Sequence, residues 1–335
     1  MPRSRTAILF VTLSLLVVIL FTLDMMTGAV KISPSDVWGA LIGGDNGDAT
    51  AKIVRNIRFL KALVAIIAGV ALPISGLQMQ TLFRNPLAGP YTLGVCSGAS
   101  LGVAIFIIGA PFLGTIGSST LSTIGVAGAA WIGSAAILLL LATVGNRIKD
   151  IMVILILGMM FSSGVGAVVQ VLQYFSGEER LKAFVVWTMG SLGDVTSVQI
   201  MLMLPIIAIG VVLSISAIKS LNMLLLGENY ARTMGLNIRS SRRKIFISTT
   251  LLAGTITAFC GPIGFIGLAV PHIARTLFND ADHRILMPAS ALTGAVVMLL
   301  CDIVAKVLAL PINTITSLIG IPIVVWIVVR NKTIA

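Results

Sequence analysis

Apolar residues along this chain gather into long unbroken runs, and almost all of the charge lies in the connectors between them. Neither the alternation of a half-buried strand nor the one-sided stripe of a surface helix produces runs of that length. A bilayer core about 30 Å thick takes roughly 20 helical residues at about 1.5 Å each. On that ruler the chain predicts ten spans, near residues 7–27, 59–83, 92–110, 121–144, 150–174, 198–219, 243–260, 264–278, 286–308 and 314–330. The run at 264–278 is short and opens in a Gly-rich turn. The first run follows Arg3 and Arg5, exceeds the apolar core of a secretory signal and precedes no Ala-x-Ala site, so it reads as a retained span.

Three connectors are long. Residues 28–57 contain Pro34 and Gly43-Gly44-Asp45-Asn46-Gly47, the composition of a surface loop. Within 176–197, the stretch Leu181 to Trp187 predicts a short amphipathic helix at the membrane interface, anchored by Trp187. The connector from Ser220 to Arg243 is the longest on the other side, where a cytoplasmic partner has to grip.

Composition sharpens the class. Of 335 residues, 57% are hydrophobic and 10% charged, with a mean hydropathy of +1.06, whereas a soluble domain is about a quarter charged. That excludes a disordered chain, a secreted disulfide scaffold and a cytosolic enzyme. The net charge of +11 sits in connectors rather than in an aromatic-interleaved stripe, so it orients the protein and does not bind nucleic acid. With the N-terminus inside, fifteen basic residues fall on the cytoplasmic side and eight on the outer side, which places both termini in the cytoplasm. The outer cluster from Lys52 to Lys61 resists that rule and asks for another reason to exist. Cys96, Cys260 and Cys301 are dispersed in apolar or Gly-rich runs and read as small packed hydrophobes.

The spans are rich in small residues, as in Gly98-x-x-x-Gly102, which let helix backbones approach where lipid supplies no hydrophobic drive. Pro73, Pro205, Pro288 and Pro322 fall within or at the ends of spans. Intramembrane charge is sparse: Asp24, and the pair Asp302 and Lys306, whose i, i+4 spacing permits mutual neutralisation or an outward role for the lysine. No chain of buried acids suggests a proton relay. No Gly-x-x-x-x-Gly-Lys loop, His-Glu-x-x-His or Gly-x-Ser-Gly is present, so the chain reads as neither ATPase nor hydrolase. His272 reads as a packing or capping residue and His283 as solvated among Asp280, Asp282 and Arg284.

Several blocks then stop looking generic. Asn85-Pro86-Leu87-Ala88-Gly89-Pro90-Tyr91-Thr92-Leu93-Gly94-Val95 resembles the loop after the second span in bacterial permeases for iron-siderophores, haem and cobalamin, the FecCD-like family of type II ABC importers. So do Gly261 to Arg275, Asp282-His283-Arg284, Pro288-Ala289-Ser290-Ala291, Leu310-Pro311 and Leu318-Ile319-Gly320-Ile321-Pro322. The likeness runs from about residue 30 to 330.

The resemblance implies an all-α polytopic membrane protein of about ten transmembrane helices, one permease domain over 1–335, homodimeric around a central pathway. It implies two ATPase subunits below, which bind ATP and Mg, and an extracytoplasmic substrate-binding protein above. No cofactor is expected in this chain, which is then no enzyme but the conduit, embedded in lipid of the bacterial cytoplasmic membrane. The segment 220–242 is similar to the family's coupling helices, with Glu228, Arg232, Met234, Gly235 and Leu236 at the ATPase contact. Glu228 and Arg232 form an i, i+4 pair, and Gly235 is placed to end a helix. Arg55-Asn56-Ile57-Arg58 resembles the family's Arg-Leu-Pro-Arg, with Ile57 in place of Pro; Arg55, Arg58 and Lys306 are then expected to meet carboxylates of the binding protein. Asn85, Leu87 and Asn146 are expected at the cytoplasmic gate. The implied cargo is a ferric siderophore, with haem or cobalamin as alternatives, and an ion-coupled carrier is the rival class.

Overall fold

The computed structural model describes residues 3–28, 30, 32–42, 49–109, 123–145, 148 and 150–330, and every regular element among them is helical. In chain order these are α1 (Arg3–Met26), α2 (Pro34–Ile42), α3 (Ala49–Ile53), α4 (Leu60–Leu82), α5 (Val95–Ile107), α6 (Thr123–Gly145), α7 (Ile151–Tyr174) and α8 (Glu178–Thr188). There follow α9 (Ser197–Ser216), α10 (Ile218–Leu225), α11 (Glu228–Thr233), α12 (Ile238–Thr249), α13 (Thr255–Cys260), α14 (Ile266–Phe278), α15 (His283–Leu308) and α16 (Ile312–Arg330). A π-helical turn joins α3 to α4 over Val54–Phe59, and another joins α12 to α13 over Thr250–Gly254.

Each of the ten expected spans coincides with one helix, except 243–260, which is α12, the π turn and α13 in succession. Five helical stretches are long and apolar enough to cross a bilayer alone: Ser4–Met26, Thr50–Leu82, Ile151–Tyr174, Ser197–Ser216 and His283–Leu308. α5 and α14 have 13 residues each, shorter than the runs that predict them. Polar side chains set several helix starts, Asp150 accepting from Met152 N, Asn237 from Ser240 N and Asp282 from Arg284 N. Within the connector 28–57, expected as a surface loop, α2 and α3 form and bury Val37, Ala40 and Ala51, while Gly43 to Gly47 lie outside the described residues.

Packing divides the chain into two compact units, each discontinuous in sequence. The first unit holds Met1–Pro73, Ser191–Leu202 and Ile263–Ala335. Here α1 and α14 lie against α15, and α16 packs on α14 and α15. α4 meets α15 backbone to backbone, since a β-carbon on Gly294 would overlap the Gly69 carbonyl oxygen. Phe265 precedes α14 with φ of 64°, and Ile266 N donates across it to Gly264 O at 2.8 Å, a tight turn that an L side chain rarely adopts. α16 holds that turn: Asn313 Oδ1 accepts from Gly264 N at 2.9 Å, and Gly320 leaves room for the Phe265 β-carbon.

The second unit holds Ile74–Gly190 and Met203–Pro262. Its centre is α5, clasped by α6 and α7. Gly98 and Gly102 face Gly133 and Ala129 of α6 so closely that a β-carbon at either glycine would overlap the facing carbonyl oxygen. This is the close approach that the Gly-x-x-x-Gly spacing suggests. Phe184 of α8 inserts into the same core, beside Val103, Ile107, Val169 and Ala258, while Glu178, Glu179, Arg180 and Lys182 stay exposed. α8 is therefore the amphipathic helix expected at 181–187. Deeper in the unit, Gln78 Nε2 donates to Ser214 Oγ and Ser248 Oγ, and both hydroxyls also bond the Gly210 carbonyl. That network ties α4, α9 and α12 together where water is absent.

Candidate functional site

The segment expected to meet an ATPase folds as two short helices. Leu221 and Leu224 bury one face of α10. Gly227, with φ of 103°, turns the chain into α11, which has only six residues. Its end follows from Gly235 at φ 84°: Leu236 N bonds Ala231 O at 2.9 Å and Gly235 N bonds Arg232 O at 3.0 Å, the paired pattern of a left-handed helix stop. Gly235 thus terminates α11 as its sequence position suggests.

The partner of Glu228 differs from the i, i+4 expectation. Its carboxylate is held by Arg242 of α12, with Nη2 at 2.6 Å from Oε1 and 2.7 Å from Oε2, and Nε at 3.0 Å from Oε1. A planar guanidinium can approach both carboxylate oxygens at once. Arg232 instead stands exposed. Tyr230 of α11 and the flanking Leu226 and Met234, on either side of the helix, expose 67%, 61% and 53% of their surface. Exposed Arg232 and Arg243 belong to the same stretch of chain, and Leu236 is half-buried.

Of the expected gate residues, Asn85 lies in the turn that ends α4, where Arg84 is held at φ 48°. Its Oδ1 accepts from Leu87 N at 2.9 Å, which shapes the turn and leaves Leu87 42% exposed. Asn146 lies outside the described residues.

The basic residues expected to face a binding protein also make contacts within the chain. Arg55 donates through Nε to Ala40 O and through Nη2 to Leu41 O, closing the end of α2. Arg58, 5% exposed, donates to Met25 O at 2.8 Å, to Met26 O at 3.0 Å and to Val30 O, closing the end of α1. Cationic donors suit helix C-termini because the last carbonyls lack intrahelical partners and carry partial negative charge. Lys306 lies between two buried carboxylates, 2.7 Å from Asp24 Oδ2 and 2.8 Å from Asp302 Oδ2, and Lys61 adds a contact of 3.1 Å to Asp302 Oδ1. The neutralisation of Lys306 by Asp302 is thus present, but within a quartet of two acids and two lysines. His283, expected to be solvated, is fully buried as the first residue of α15. All three cysteines are buried and outside any disulfide, consistent with their reading as small hydrophobes.

The model of the FecCD transport family matches residues 15–330. The chain belongs to that family. FecCD relatives extend over its whole length: it is 34% identical to the hemin transport system permease protein HmuU of Yersinia pestis over 98% of both chains. It is also 34% identical to the vitamin B12 import system permease protein BtuC of Salmonella paratyphi A, over 98% of this chain and 97% of that one. A solved structure of a metal-chelate type ABC transporter in an inward-facing conformation superimposes with a TM-score of 0.81 at 28% identity, covering 97% of this chain and 99% of that one. The FecCD chain is therefore an integral membrane protein and the permease component of an ABC importer, a transport subunit rather than an enzyme.

Sequence reasoning missed Arg242 because it stands in Arg242-Arg243-Lys244, a run that reads as ordinary topology-setting charge. The contribution of Lys61 and Asp24 to the Lys306 cluster was equally hidden, since α1, α4 and α15 are far apart in sequence. No local pattern marks either arrangement.

Proposed function

We propose that this permease admits a large metal chelate, in first place a ferric siderophore, through a pathway opened and closed by ATP-driven alternating access. The observation that carries the reading is end-to-end similarity to permeases and a transporter whose names specify hemin, vitamin B12 and metal chelates. Haem and cobalamin are equally supported by those relatives and stand as the alternative cargo.

In this reading two copies of the chain enclose the pathway in a bacterial cytoplasmic membrane, with both termini in the cytoplasm. Two ATPase subunits, which bind ATP and Mg, grip the coupling segment. Exposed Leu226, Tyr230 and Met234 in and flanking α11, with exposed Arg232 in the same segment, support a contact of this kind, because exposed apolar side chains accompanied by charge suit a protein interface. Asn85, Leu87 and Asn146 close the inner end. The outer connector, shaped by Arg55 and Arg58, receives the substrate-binding protein. Selectivity rests mainly with that protein.

The test is reconstitution of permease, ATPase and binding protein in liposomes, with uptake of a ferric siderophore, haem and cobalamin measured in parallel. Uptake of one of the three that requires internal ATP supports the reading. Uptake driven by a proton or sodium gradient without an ATPase overturns it and favours an ion-coupled carrier.

A further inference from the structure

We propose that Arg242 is a positioning residue that relays movement of the ATPase-gripped helix α11 to the chain entering α7. The inference rests on the coupling role proposed for α11 and adds the route by which its motion reaches the inner gate.

α11 is too short to hold a position by itself, since helices of this length are marginal without tertiary contacts. Its anchors to the rest of the unit are the buried Ala231 and the three short contacts between Glu228 and Arg242. Arg242 is a long cation yet only 9% exposed. It projects from α12, whose start is fixed by Asn237 capping Ser240 N at 3.0 Å. The same guanidinium makes a second kind of contact, with Nη1 donating to the Ile148 carbonyl at 3.4 Å. Ile148 lies two residues before Asp150, the cap of α7, and two residues after Asn146, assigned above to the gate.

One rigid, planar group therefore joins the coupling helix to the connector at the head of α7. A guanidinium presents its donors in a fixed fork, so a displacement of the Glu228 carboxylate tilts the whole plane and displaces the donor facing Ile148. A lysine is a point charge on a flexible stem. It can follow Glu228 without carrying the carbonyl along.

Gly227 offers an independent sign that α11 lies against gate-bearing chain. A β-carbon there would stand 3.4 Å from Arg84 Nη1, and Arg84 immediately precedes Asn85. The Arg84 side chain thus reaches the N-cap of α11 from the turn ending α4, while Arg242 links α11 to the entry of α7.

The experiment uses the intact permease–ATPase complex in liposomes, with ATP and vanadate as the trap and no cargo. A spin label is placed in turn at Thr233→Cys, on α11, and at Ile151→Cys, at the start of α7. In the parent protein, trapping is expected to change both signals. Arg242→Lys is expected to keep the α11 response and to weaken the α7 response by roughly 2- to 30-fold, the usual span for a residue that modulates coupling.

The exchange Glu228→Arg with Arg242→Glu separates relay from simple attachment. It restores an ion pair between α11 and α12, but a carboxylate at 242 cannot donate to the Ile148 carbonyl. ATPase co-purification and thermal stability should recover while the α7 response stays weak. Recovery of that response in the exchanged pair overturns the proposal, as does a full response in Arg242→Lys. If trapping fails to move the α11 label even in the parent protein, the coupling role of α11 is wrong and the relay falls with it.

Discussion

Replacing Lys306 by Met distinguishes an internal clamp from a docking charge. The side chain lies between Asp24 and Asp302, which are 0% exposed, and itself contacts Asp24 Oδ2 at 2.7 Å and Asp302 Oδ2 at 2.8 Å. Removing one member of a buried ion pair costs about 3–5 kcal/mol, because the remaining charge has lost both water and its partner. Lys61, 3.1 Å from Asp302, compensates in part on that side. The expected loss is thus near the lower figure, about 3 kcal/mol. For a unit of this size that lowers the unfolding midpoint by on the order of 10 °C. Thermal unfolding of the purified permease in detergent, followed by size-exclusion or tryptophan fluorescence, reads the effect without any partner. The triple change Lys306→Met, Asp24→Asn, Asp302→Asn should recover much of the loss, since it removes both buried carboxylates with their shared cation and leaves only the part-exposed Lys61. Should Lys306→Met unfold at the parental temperature while binding-protein affinity collapses, the lysine is a docking charge and the clamp argument is refuted.

Other consequences follow from single positions. Arg58→Gln should speed hydrogen exchange at the end of α1 and through α2, because it removes a charged donor to three carbonyls, each such bond contributing about 1.5–3 kcal/mol. Arg58→Lys should restore only part of the protection, as a lysine cannot span the three acceptors. Gly294→Leu should lower thermal stability by at least 1–3 kcal/mol, roughly the cost of overpacking, since its side chain would collide with the Gly69 backbone. Gly235→Ala should weaken α11 by about 1–2 kcal/mol through its left-handed φ of 84°. That change should reduce ATPase co-purification before it affects the melting of the rest of the chain. Gln78→Leu should cost only about 1 kcal/mol in the same melting assay, because Ser214 and Ser248 keep their bonds to Gly210 O.

The helices themselves were legible because the signal is local. A run of apolar residues that spans a bilayer can satisfy its backbone only as a helix, so hydropathy alone locates α1, α4, α7, α9 and α15. Gly98 and Gly102 announced a close crossing for a similar reason: only a missing side chain allows backbones to touch. Around Pro34 the connector 28–57 misled, because Pro34 suggested a loop where α2 forms, and Val37, Ala40 and Ala51 find cover from neighbours that composition does not reveal. His283 was misjudged in the same way, its charged sequence neighbours concealing a fully buried position.

What the sequence determined by itself is the solvent of each segment and the family to which the motifs belong, since both depend on residue types read in order along the chain. What only the tertiary structure decided is the pairing of charges. Glu228 finds Arg242 rather than Arg232, Lys306 finds Asp24 across 282 positions, and Arg55 and Arg58 turn to helix ends. A charged group with little access to water takes the nearest group able to stabilise it, and nearness there is set by helix packing, which no local pattern encodes.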